Sequence, residues 1–186
     1  FSVPQLFNIE RVEFLKGPAG MLYGSGAPGG LFNYVTKTPE RDFAANVGAV
    51  IGQGNRYGAQ AEVTGPINGV LAGRAGVFTE QRDLPRFGAD SDTQIFEGSL
   101  ALDVPGGRII GQATKYQQDL GGNRLRGVPT DNAGNFLADR RWNHNEPTDF
   151  LVLESSVLQL RGEFQPTDAL SLDLGWRYND ASEAQQ

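Results

Sequence analysis

Few side chains in this sequence can do covalent or metal chemistry, and their spacing excludes most of it. There is one histidine, His144, and no cysteine. Thiolate sites and disulfides are therefore out, and a lone imidazole among scattered carboxylates makes no metal constellation. His144 reads as a surface-loop residue. Asp131-Asn132-Ala133-Gly134-Asn135 lacks the alternating ligands and closing glutamate of a calcium loop and reads as a turn. No serine stands beside the histidine in a nucleophile elbow, so no catalytic set and no enzyme are expected. Gly24-x-Gly26-x-x-Gly29 satisfies the dinucleotide fingerprint in letters, but that fingerprint opens a helix. Here it leads into the strand-like Leu31-Phe32-Asn33-Tyr34-Val35, with no Gly-Lys-Ser/Thr phosphate loop. What remains is recognition chemistry. Residues 118–154 hold Arg124, Arg126, Arg140, Arg141 and Trp142. Guanidinium groups with an indole suit a large anionic or aromatic chelate, by charge and by stacking. The same residues equally suit a solvated external loop, or one that touches lipopolysaccharide.

Composition narrows the class of protein that could carry such loops. Of 186 residues, 39% are hydrophobic and 20% charged, which fits neither a disordered tail nor a helical membrane protein. No run approaches the ~20 apolar residues of a membrane-spanning helix, but barrel strands give a much weaker hydropathy signal and stay open. A net charge of −6 argues against nucleic acid as a partner. The first residue is Phe1 and no charged-then-apolar leader follows it, so the chain is expected to begin inside a larger protein.

The elements that must position the loops are strands. Seven segments after Thr38 show period-two alternation: 43–52, 57–67, 70–80, 93–104, 108–117, 157–164 and 169–179. Tyr57, Ala59, Ala61, Val63 and Ile67 oppose Arg56, Gln60, Glu62 and Thr64. Leu170, Leu172, Leu174, Trp176 and Tyr178 oppose Ser171, Asp173, Arg177 and Asn179. Segments 70–80 and 108–117 are less regular, because Arg74 falls among small residues and Ile109-Ile110 breaks the alternation. Asn68-Gly69 predicts a type I′ hairpin, and Pro105-Gly106-Gly107 and Pro166-Thr167-Asp168 are compact turns. These three fall on one side of the sheet. Loops 53–55, 81–92 and 118–154 fall on the other and lengthen in order. Strands of about ten residues with segregated loop lengths are the habit of outer-membrane barrels. Trp176 and Tyr178 are expected to cap the loop-side end of their strand as an aromatic girdle. Alternation alone does not say whether the apolar face meets lipid or a packed core. A soluble β-sandwich carbohydrate-binding module, with loops 81–92 and 118–154 as its binding edge, stays open.

Residues 8–38 break that tie. Ile9-Glu10-Arg11-Val12-Glu13-Phe14-Leu15-Lys16 runs into Gly17-Pro18, Leu22-Tyr23-Gly24, Pro28-Gly29-Gly30, Asn33 and Val35-Thr36-Lys37. In this order the residues closely resemble the C-terminal end of the plug domain in TonB-dependent outer-membrane siderophore receptors. The resemblance covers 8–38 by motif and 39–186 by strand order. It implies an all-β chain: residues 1–38 as the C-terminal part of a plug domain, and 39–186 as the first seven or so up-and-down antiparallel strands of a transmembrane barrel. It implies the outer membrane of a Gram-negative bacterium, with lipid around the barrel. A ferric siderophore would be the transported ligand rather than a cofactor, and TonB with its inner-membrane energising complex would be the partner. Cobalamin or a sugar stays open as cargo. By position in the motif, Tyr23 would lie at the plug apex and face the ligand, or else pack the plug on the barrel wall. Arg11 and Glu13 would make plug–barrel charge contacts, or lie on a solvated strand face. Thr38 stands where the family often has a second basic residue, which Arg41 is expected to replace. Arg124, Arg126 and Trp142 are the external-loop candidates for ligand contact.

Overall fold

The computed structural model describes residues 5–17, 29–123 and 127–186. The chain divides into two compact units, Phe1–Thr38 and Pro39–Gln186. All regular structure among the described residues is antiparallel strand.

The first unit is a hairpin of β1 (Ile9–Lys16) and β2 (Gly30–Thr36). Gly17, at φ 91°, ends β1 in a backbone region that L side chains rarely enter. Gly30 is required for a different reason: a Cβ there would lie 2.2 Å from the Leu15 carbonyl oxygen across the ladder. Phe14 and Phe32 stack at 4.7 Å on one face of the hairpin, while Lys37 lies over the ring of Phe7.

The second unit is one seven-stranded sheet in strict chain order. Its strands are β3 (Ala44–Gly52), β4 (Arg56–Pro66), β5 (Leu71–Asp83), β6 (Asp90–Val104), β7 (Gly107–Gly121), β8 (Phe150–Thr167) and β9 (Leu170–Gln185). Residues directly opposite in register share a face, so the two faces can be read off the pairing. One face is apolar: Val47↔Ala61, Ile51↔Tyr57, Val77↔Phe96, Leu71↔Leu102, Phe164↔Leu172, Leu160↔Trp176 and Leu158↔Tyr178. The other carries Asn46↔Glu62, Thr64↔Arg74, Arg74↔Ser99, Ser99↔Gln112, Gln112↔Gln159 and Gln159↔Arg177.

The apolar face is the exposed one. Val47 is 87% and Ile51 88% exposed, and Phe96, Leu100, Leu160, Leu174 and Trp176 all stand at least half open. The opposite face holds the buried side chains, including Phe78, Ile95, Arg74, Glu80, Thr93 and Gln118. Among the described residues of the second unit, no second layer of strands covers the leucines. That overturns the sandwich alternative, whose apolar stripes would have met each other in a dry core. A sheet that turns its oily side outward suits hydrocarbon as its solvent.

Several local expectations are corrected. The strands are 9 to 18 residues long rather than about ten, because the hydrogen-bond ladder runs on past the point where apolar alternation stops. The loop expected at 118–154 is confined to 122–149, and that at 81–92 to 84–89. Segments 70–80 and 108–117, irregular in sequence, form unbroken ladders; Arg74 and Ile110 simply belong to the buried face. Trp176 and Tyr178 lie inside β9, not at its end. They top the apolar stripe, since Asp180 and Ser182 follow on the same face. Asn68-Gly69 forms no type I′ turn, for neither residue has positive φ. Instead the Asn68 side-chain oxygen accepts from the backbone N–H of Val70 and Leu71, a side-chain-capped turn. Among the described residues, a consecutive positive-φ pair occurs at Gly54-Asn55, on the opposite side of the sheet.

The outward apolar face has a direct energetic consequence. From Leu170 to Tyr178 the stripe spans roughly 27 Å along the strand at ~3.3 Å per residue, and Leu174 is its midpoint. Leu174→Arg should cost the lipid-embedded, full-length protein about 2–4 kcal/mol. Ser171→Arg, on the other face, should cost under ~1 kcal/mol. Denaturant unfolding in lipid vesicles measures both, and equal costs would contradict the assignment of faces.

Candidate functional site

The loop side of the sheet carries an ordered cluster. β7 ends at Gly121, and the next residue, Gly122 at φ 53°, turns the chain. The long segment that follows is tied back onto 84–89. The Asn143 side-chain amide donates to the carbonyls of Phe87 at 2.9 Å and Gly122 at 2.8 Å. Asn145 adds a 2.6 Å bond to the same Gly122 carbonyl. The Phe87 N–H donates to the Arg141 carbonyl, and the Arg141 guanidinium lies 4.5 Å over the Phe87 ring. Arg86 donates to Asn123. Each of these contacts closes a loop through an asparagine or arginine rather than through apolar burial, which suits a segment standing in water.

Within the long loop, Thr130 and Phe136 form an isolated bridge around the 131–135 turn. The turn expected from sequence is present. Asp131 accepts from the N–H of Ala133 and Asn135 and from the Asn135 side chain. The Asn135 side-chain bond, then its backbone bond, hold the Asp131 carboxyl below the usual aspartate range. This small hairpin presents Phe136, 75% exposed, and the adjacent Leu137 to solvent. Trp142 is half exposed and meets His144 edge-on at 6.1 Å.

The candidate residues distribute as follows. Trp142 sits in the ordered loop cluster. Tyr23, Arg124 and Arg126 lie outside the described residues. Arg11 and Glu13 are brought together on the first unit's hairpin, Arg11 Nε donating to Glu13 at 2.8 Å and Asn33 adding a bond to the same carboxylate at 2.9 Å. The Asn33 bond, with Arg11 second, draws the Glu13 carboxyl below the ordinary glutamate range. Arg41 bonds to Asp103 and to the Val70 carbonyl, all within the second unit.

Sequence reasoning missed the charge cluster on the buried face of the sheet. Arg74 reaches Glu97 at 2.7 Å and pairs also with Glu62; the side chains of Arg74 and Glu97 are 4% and 1% exposed. Glu62 and Glu97 both stand opposite Gly76, which puts no side chain between them, and Arg74 lies two residues away on the same strand. One guanidinium thus holds two carboxylates. Arg56–Glu80 repeats the motif at 2.8 Å nearer the loops, and Arg161 pairs with Glu163 nearer the short turns. The parity of positions 62, 74 and 97 was the available signal.

A wall one strand thick, apolar outside, charged inside and looped on one side defines a segment of an outer-membrane β-barrel. Comparison with known proteins agrees. The TonB-dependent Receptor Plug Domain family matches residues 1–31. The metal-pseudopaline receptor CntO of Pseudomonas aeruginosa is 43% identical over 67 residues, 36% of this chain and 10% of that one. The ferric-pyoverdine 358 receptor of Pseudomonas putida is 26% identical over 148 residues, covering 75% and 18%. Among solved structures, the ferripyoverdine receptor of P. aeruginosa bound to ferripyoverdine superposes with a TM-score of 0.88 at 23% identity, over 94% of this chain and 24% of that one. The siderophore receptor PiuA of Acinetobacter baumannii gives 0.86 at 18% identity, over 97% and 27%. Over these stretches the chain is similar to TonB-dependent receptors of the Gram-negative outer membrane. It spans between 10% and 19% of the length of the curated relatives it matches.

The Arg74 cluster sets a measurable expectation. Removing the guanidinium alone takes away the cation that both carboxylates share, so Arg74→Met should destabilise the full-length protein by about 3–5 kcal/mol. Adding Glu62→Gln and Glu97→Gln should recover most of that loss. Denaturant unfolding of the three proteins measures it; a single variant within ~0.5 kcal/mol of wild type would contradict the buried-triad account.

Proposed function

We propose that the protein is the ferric-siderophore uptake receptor of its outer membrane, in which residues 1–38 are the end of the plug and 39–186 begin the barrel. The observation that carries this is the order of parts: plug-family sequence at 1–31 leads directly into a chain-ordered sheet whose apolar face is exposed. Relatives named for ferric pyoverdine and ferrioxamine B support the cargo class. The iron chelate would enter between the external loops, where Trp142 offers an exposed ring, Arg124 and Arg126 offer charge, and Tyr23 at the plug apex offers a ring and a hydroxyl donor. It is cargo rather than a resident cofactor. TonB and its inner-membrane complex would supply the work by pulling on the plug. No bond in the cargo need be made or broken, so the protein is no enzyme on this reading.

A second reading differs in the metal. The 43% identity to a metal-pseudopaline receptor favours a chelate whose metal need not be iron. Uptake of radiolabelled metal by cells carrying or lacking the full-length gene separates the two. Ferric hydroxamate and pyoverdine-type chelates should enter only when both the receptor and TonB are present. Trp142→Ala should weaken chelate binding roughly two- to tenfold, the range of one aromatic stacking contact. Preferential zinc or nickel uptake would favour the second reading, and TonB-independent entry would contradict both.

A further inference from the structure

The second unit begins with three residues held unusually firmly. Pro39 is fully buried, and its carbonyl accepts from Arg108 at 2.7 Å. The Glu40 N–H donates to Thr64 Oγ1 at 2.9 Å. Arg41 pairs with Asp103 and donates to the Val70 carbonyl at 3.2 Å. That carbonyl also accepts from the Asp103 N–H, and Asp103 has Arg108 as a second cation at 3.5 Å. Three consecutive residues thus reach β4, the β4–β5 turn, the end of β6 and the start of β7, all on the short-turn side of the sheet. These are half-exposed charges, and any one such pair contributes little to stability. Their arrangement is what matters. The boundary between the two units falls between Thr38 and Pro39, immediately before the clamp.

We infer that Pro39–Arg41 is a mechanical stop, which lets the first unit be drawn away from its N-terminal side but blocks the pull from travelling into the barrel wall. The inference rests on the reading that the plug is pulled during transport. Tension entering at Thr38 meets β3, which would otherwise peel from β4 one rung at a time, starting at Ala44↔Thr64. A ladder loaded at its end breaks sequentially. The clamp loads four elements at once, so its contacts share the tension instead of failing in turn. Arg41 and Arg108 act here as positioning residues: they touch no cargo.

Pulling the N-terminus of the full-length receptor in a lipid bilayer with an atomic-force cantilever tests this. In the wild type the released contour length should end at Thr38. In Arg41→Ala/Arg108→Ala a further step should follow as residues 39–52 come away, about 50 Å at ~3.5 Å per residue. Arg161→Ala, which removes a different ion pair from the same sheet, should leave the wild-type pattern. If the double variant does not assemble, Asp103→Asn removes both ion pairs with little change of shape and should show the same extra step. Equal release in wild type and variants, or wild-type release running past residue 39, would overturn the stop. Radiolabelled chelate uptake is scored separately. Absent uptake with the extra step present would refute the transport reading alone.

Discussion

Backbone hydrogen bonding in a medium without water governs this fold. In hydrocarbon every amide N–H and carbonyl needs a partner within the protein, so only helices or sheets closed into barrels can cross. Among the described residues no helix is long and apolar enough to do so, and each strand from β3 to β9 pairs with the next. Once the ladder is fixed, the pleat assigns every side chain to one of two faces. Lipid then selects leucine, valine and aromatics for one of them, and the other is free to hold glutamate, glutamine and arginine. The charged wall follows from that division.

The polar face uses its freedom economically. Arg74 satisfies two glutamates from neighbouring strands because Gly76 leaves the intervening position open. At the loop end, amide side chains take over the role that apolar packing plays elsewhere. Asn143 and Asn145 converge on the Gly122 carbonyl, and Asn143 also spans to Phe87. The described residues 127–149 are therefore held as a shaped surface, with Trp142 and Phe136 displayed rather than buried. At the opposite end the side-chain-capped turn at Asn68 and the Pro39–Arg41 clamp close the floor with short, polar contacts. The displayed rings and the Pro39–Arg41 contacts lie at opposite ends of the same strands.

The strands and the sidedness of the loops were legible because period two is a physical consequence of the pleat. Leu170, Leu172, Leu174, Trp176 and Tyr178 could be placed on one face from spacing alone. The direction of that face was not legible from alternation, since a sandwich and a barrel write the same pattern; the plug-like motif at 8–38 settled it. Strand ends were misjudged because hydrogen bonding continues into water after the apolar signal stops, as in β9 beyond Tyr178. The turn at Asn68-Gly69 was misassigned because an asparagine side chain can cap a turn without left-handed backbone. The Arg74 triad was overlooked for a different reason. An arginine among small residues breaks a hydropathy pattern, yet those small residues are what give it room for two partners. The clamp was invisible because its residues come together only through strand register, with Arg41 and Asp103 far apart in sequence.

The central claim is that the stripe from Leu170 to Tyr178 faces lipid. A nitroxide scan of residues 170–178 in the full-length receptor, reconstituted in a bilayer, tests it most directly. Accessibility to molecular oxygen should be high at 170, 172, 174, 176 and 178 and low at the residues between, with a water-soluble nickel chelate excluded from the first set. Oxygen accessibility that is uniformly low, with all labels immobilised, would mean the stripe is packed against protein and would contradict the account.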